Sequence, residues 1–173
     1  VEIAARLRMF EGRGDADRQA RLAAIGAGLA QRLIRRWQRD PLRAPQLWFT
    51  YHLYHKAPDA IGPIASQVLR IPYVVAEASY APKQHAGPWA SGHAAVEAAL
   101  RAADAVVCIN PADVAMIDVV RDPGTPLVVL PPFIDVERFV AAGREAAPLA
   151  RTLAPAGDGP RLVTVAMMRP GST

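Results

Sequence analysis

Cysteine is nearly missing from this chain: Cys108 stands alone among 173 residues, so no disulfide can form within it. Its setting, Ala105-Val106-Val107-Cys108-Ile109, reads as a small buried strand residue rather than a reactive thiol, and a reducing cytoplasm suits it. No apolar run approaches the ~18 residues of a membrane span. Aromatic residues make up only 6%, without the basic-aromatic interleaving of a single-strand binding platform, which argues against a nucleic-acid partner. Also absent are Gly-x-Gly-x-x-Gly, a phosphate-loop lysine motif and a Gly-x-Ser-x-Gly elbow. Hydride transfer and serine hydrolysis therefore lack their signatures. There is no initiator methionine: the chain opens on Val1-Glu2-Ile3 and stops at Thr173, and both ends are expected to be cut edges.

A hydrophobic content of 51% with 21% charged residues marks a globular chain, one domain by length, able to bury a real core. The net charge of +4 comes largely from the first third, where Arg32, Arg35, Arg36, Arg39 and Arg43 cluster near the end of one helical pattern. Cations there complement a helix dipole; the same cluster is also suited to peripheral contact with anionic lipid, at the inner face of a membrane.

Val1 to Arg8 reads as a strand, broken by Gly12 and Gly14. Asp15 is placed to cap a long helix with apolar positions Leu22, Ile25, Leu29, Leu33 and Trp37, ended by Asp40-Pro41. Gln46 to Tyr51 reads as a buried strand, Ile61 to Leu69 as a helix and Pro72 to Ala76 as the next strand. Ser79 to Gly92 is a loop, His93 to Ala103 a helix and Val106 to Ile109 a strand. Asn110 caps a helix over Pro111 to Val120, and the Asp122-Pro123-Gly124 turn leads to a strand at Leu127. Alternating strands and helices, with strands that are apolar runs, predict a Rossmann-like, doubly wound α/β domain whose parallel sheet is covered on both faces. Residues 1–135 form this domain in the reading, 136–160 connect it onward, and 161–173 supply the first strand and loop of a second, truncated domain.

In open parallel sheets, ligands bind beyond the carboxyl ends of the strands, which selects four loops. Tyr51-His52-Leu53-Tyr54-His55-Lys56 is dense in hydrogen-bonding groups: it could bind a polar substrate, or His52 and His55 could satisfy loop carbonyls. A metal would need a third ligand such as Glu77 or Asp59, and none is expected. Glu77, followed by Ser79 and Lys83, could accept from substrate hydroxyls or act as a general base; it could equally pair with Lys83 or His52. Trp89 stacks on a sugar or anchors its loop. Arg169-Pro170-Gly171 could cradle phosphate.

Read in order, Ala102-Ala103-Asp104-Ala105-Val106-Val107, then Leu130-Pro131-Pro132-Phe133-Ile134-Asp135 with Phe139, then a strand ending in Arg169, this series resembles retaining glycosyltransferase family 4. In that family a P-x-G-[VI]-D-x-x-x-F segment precedes the interdomain linker, and the next strand ends in G-R. Bacterial members carry stretches similar to Trp48 through Asp59 and to Val165 through Gly171. The family's junction glycine is Phe133 here, and its strand-end histidine is Glu77. The resemblance implies a GT-B fold, two Rossmann-like domains facing a cleft, with no cofactor beyond a nucleotide-diphosphate sugar as co-substrate. On that implication the chain is the acceptor-side part of a transferase moving a sugar, with retention, to a carbohydrate, lipid or small-molecule acceptor. His52 and Glu77 would be catalytic; Tyr51, His55, Lys56, Ser79 and Lys83 would bind the acceptor; Arg169 and Gly171 would hold donor phosphate. The piece alone is expected to be inactive. A GT-B sugar-nucleotide epimerase and a non-catalytic Rossmann-like binding module are the competing readings.

Overall fold

The computed structural model describes residues 1–152, and the strand expected before Arg169 lies outside them. The chain divides into two compact units, Val1–Pro132 and Phe133–Thr173.

In the first unit, four strands form one sheet: β1 (Trp48–Leu53), β2 (Tyr73–Ala78), β3 (Ala105–Cys108) and β4 (Leu127–Val129). They lie in the order β1-β2-β3-β4 and every neighbouring pair is parallel. Parallel strands need crossovers, and three helices make them: α2 (Gly62–Leu69), α3 (Ala90–Ala102) and α4 (Val114–Val120), preceded by the long α1 (Ala16–Arg39). The result is an α/β fold consistent with the expected Rossmann-like, doubly wound arrangement.

Local chemistry sets the element ends. Asp15 accepts from the Arg18 amide and caps α1, and Asp40 with Pro41 ends it. Asn110 accepts from the Ala112 amide at the start of the turn into α4. The Asp59 carboxylate accepts from the amides of Ile61 and Gly62 at the head of α2, and from the hydroxyls of Thr50 and Tyr73. That one partly buried acid ties β1, β2 and α2 together.

Register sorts the sheet into two unlike faces. Trp48, Thr50, Tyr73, Val75, Val106 and Leu127 share one side. There Tyr73, Val75 and Val106 are buried against Val96, Ala99 and Leu100 of α3 and Ile117 and Val120 of α4. Each fully buried side chain of that size contributes roughly 1.5–3 kcal/mol. Trp48 also joins a second cluster, where Ala30, Leu33 and Trp37 of α1 meet Ile61. Phe49, Tyr51, Val74, Val107 and Val128 share the other side; Phe49, Tyr51 and Val128 are 55%, 61% and 51% exposed. Within the first unit α3 and α4 pack on the Tyr73 side and α1 meets that side at Trp48, and β1 is an edge strand rather than a buried one.

One further expectation changes. Val1 to Arg8 is not a strand; the segment is irregular, and Ala4, Ala5 and Leu7 pack against the α1 cluster without pairing to the sheet. Within 136–160, Val136–Thr152 is a helix, α5. Asp135 caps it by accepting from the Arg138 amide, and alanine, the best helix former, outweighs one interior proline at 148. Among the described residues no helix is long and apolar enough to cross a membrane.

Candidate functional site

β1 runs two residues further than its sequence suggests, so His52 lies within it, and Glu77 lies within β2. Both have left-handed backbones, with φ of 65° and 53°. Such a backbone costs a non-glycine residue roughly 1–2 kcal/mol, and two of them side by side require support from their surroundings. The register pairs Tyr51 with Ala76 and Leu53 with Ala78, leaving His52 and Glu77 opposite each other between those pairs. His52 Nδ1 stands 3.4 Å from Glu77 Oε2, an oxygen that is itself buried and has no hydrogen-bond partner. Of the two partners left open for Glu77, Lys83 or His52, the fold selects His52.

Tyr51 completes the group by donating its hydroxyl to Glu77, which pushes the phenol pKa up. The same hydrogen bond, reinforced by His52 against the opposing effect of burial, holds the Glu77 carboxyl below the usual carboxylate range. Glu77 is thus an ionised carboxylate gripping an imidazole at a solvent-accessible strand end. That pairing can orient His52 to take a proton from a hydroxyl and balance the charge it acquires.

A second knot follows directly. A tight turn joins Tyr54 to Ala57, and the His55 ring meets the rings of Tyr54 and Trp89 edge-on. Burial, then the charges of Lys56, His93 and Lys83, drive the His55 pKa down, so the ring is neutral at neutral pH. Its Nδ1 is buried and unpartnered. Lys56 Nζ lies 4.6 Å over the Trp89 ring, and the Trp89 indole donates to the Glu11 carbonyl. Trp89 is therefore an anchor for its loop. At Gly92, on the first turn of α3, any Cβ would collide with the His55 carbonyl, so a glycine is what lets the loop settle there. A cavity of about 210 Å³ opens beside His55, Lys56, Ser91 and Gly92. A larger depression of about 590 Å³, lined by Arg70, Pro72 and Asp104, lies at the opposite, amino ends of the strands.

The fold thus brings Tyr51, His52 and Glu77 into contact and sets His55 and Lys56 beside them in sequence and along the same sheet edge. Lys83 sits exposed on a 3₁₀ turn, Pro82–Gln84, felt at His55 through its charge. Ser79 is exposed and contributes its amide to the Leu53 carbonyl. Arg169 and Gly171 lie outside the described residues. Asp59 is committed to its internal partners, and among the described residues no group of three or more His, Cys, Asp or Glu is placed to hold a metal ion.

Two residues escaped sequence reasoning. His93 is 5% exposed, stacked 4.8 Å from Tyr80, with a buried, unpartnered Nε2; nothing in the sequence distinguishes it from any residue opening a helix. Glu11 is buried at 3% and accepts from the amides of Arg13, Gly14 and Asp15. Burial alone would raise its pKa, but these donors and the Gln19 amide hold it down. A carboxylate just ahead of Gly12 and Gly14 was the available signal.

No protein-family model matches the chain, and no curated protein matches it.

Proposed function

We propose that this chain is the acceptor-side domain of a GT-B glycosyltransferase that moves a sugar from a nucleotide-diphosphate sugar to an acceptor hydroxyl with retained configuration. The observation that carries the reading is the Tyr51–His52–Glu77 group at the carboxyl ends of two parallel strands, the place where open α/β sheets bind ligands. In the scheme, the acceptor hydroxyl hydrogen-bonds to His52. Its oxygen bonds to the anomeric carbon as the diphosphate oxygen leaves with the old bonding pair, and the hydroxyl proton passes to His52, whose charge Glu77 balances. His55, Lys56, Ser79 and Lys83 hold the rest of the acceptor. Arg169 and Gly171 stabilise the departing diphosphate, a role resting on the family resemblance alone.

The test is transfer of radiolabelled sugar from a panel of nucleotide-diphosphate sugars by the natural full-length polypeptide. H52A and E77Q should each lower kcat by about 10²–10⁴-fold, the usual worth of a positioned acid–base group, with donor affinity retained. Unchanged transfer by the H52A/E77Q double variant, or donor interconversion without transfer, would sink the proposal.

A further inference from the structure

Between Arg18 and Arg39, α1 carries six arginines and no acidic residue. At 3.6 residues per turn, Arg18, Arg21, Arg32, Arg36 and Arg39 fall within about 60° of arc, with Arg35 at the flank. The buried residues Gly26, Ala30, Leu33, Ile34 and Trp37 occupy the opposite side. All six arginines are exposed, and among the described residues none has a carboxylate at ion-pair distance. The row is about 30 Å long and continues into Arg43, which pairs with Asp40. One apolar side chain, Ile25, 49% exposed, shares this arc, and Leu42, 98% exposed, follows just past the end of the helix between Pro41 and Arg43. Dipole complementarity accounts for Arg36 and Arg39 in the last turn of α1, because that effect fades within one turn. It does not reach Arg18, Arg21 or Arg32.

We infer that this face of α1 docks on an anionic lipid surface. A straight row of guanidinium groups on a helix whose apolar stripe is already used inside the protein matches a flat, negatively charged plane. Phosphate headgroups accept from such groups bidentately, and Leu42 enters the interface at one end of the row. Nucleic acid fits less well, because the face has no aromatic side chain to stack on a base and its apolar members would meet a hydrated backbone. This surface is independent of the strand-end site.

The experiment is co-sedimentation of the chain with vesicles of phosphatidylcholine alone and with about one-third phosphatidylglycerol. Binding should require the anionic lipid and be released by molar salt. Each arginine at such a surface is worth roughly fivefold in partitioning, so R32E/R36E/R39E should bind more than about a hundredfold more weakly with the circular dichroism of the parent. R36Q/R39Q, which keeps the helix-forming side-chain length, should lose about twentyfold and covers the case in which triple reversal unfolds the chain. L42S should weaken binding several-fold. Equal binding to neutral and anionic vesicles, parent-like binding by the folded variants, or capture of an oligonucleotide with no vesicle binding would each overturn the inference.

Discussion

Glu77 shows how one residue's neighbours decide what it can do. Tyr51 donates to it and His52 leans on it, so its folded-state pKa lies below the ordinary value. A depressed carboxyl stabilises the fold above the unfolded pKa, about 4.3, and loses that contribution as pH falls through the lowered value. His55 adds a window at higher pH: its depressed pKa makes the folded state resist protonation, so stability is full above about 6.5 and declines as pH falls toward the lowered value. Removing the Tyr51 hydroxyl should let Glu77 rise toward its ordinary pKa. Carbon-13 NMR titration of the Glu77 carboxyl in Y51F measures this directly; a midpoint unchanged from the parent would mean that the phenol does not hold the carboxylate. The composition of the group was legible in the sequence, because histidine, tyrosine and a carboxylate at strand ends are visible there. Its geometry was not: nothing marks His52 and Glu77 as left-handed, since neither is glycine or asparagine, and only the sheet register brings them face to face.

Among the elements, α1 illustrates what periodicity finds and what it misses. The Asp15 cap, the Asp40-Pro41 stop and the core positions Leu33 and Trp37 follow from the sequence and hold. Ile25 was expected inside but is half exposed, while Gly26 and Ala30 are buried. Large apolar residues set a periodicity reading, whereas close approach of α1 to the head of α2 selects small ones. At Gly26 an added methyl would run into Ala60, while Gly28 faces open space. G28A should therefore stabilise the protein by about 0.8–1 kcal/mol through helix propensity. G26A should lose about 1–3 kcal/mol to overpacking despite the same propensity gain. Urea unfolding of both variants decides the matter, and equal shifts of the same sign would contradict this packing of α1 on α2. The segment over 136–152, read as part of a connection, takes the form of a helix that Asp135 caps and its alanines favour, a form that Ala and Gly richness alone does not announce. Val1 to Arg8 failed the other way, its alternation of apolar and charged residues serving an irregular segment packed on α1.

For the first unit as a whole, the decisive feature is the asymmetry of its sheet. Strands read as apolar runs, and a run signals two buried faces; within this unit α3 and α4 pack on one of them. The other presents Phe49, Tyr51 and Val128, each more than half exposed, with Val74 and Val107 between them in the register. An apolar patch of that kind is an association hazard for an isolated unit, and edge strand β1 adds an unpaired row of backbone donors and acceptors. Phe49 and Val128 contribute little to stability because folding leaves them largely in water. The double change F49T/V128T should consequently leave the unfolding free energy within about 0.5 kcal/mol of the parent, while threonine preserves strand propensity. Light scattering at rising protein concentration should then show later onset of aggregation. A variant that aggregates like the parent would show that the open face is not what limits solubility, and a variant that unfolds more readily would show that this face is more deeply packed than its exposure indicates.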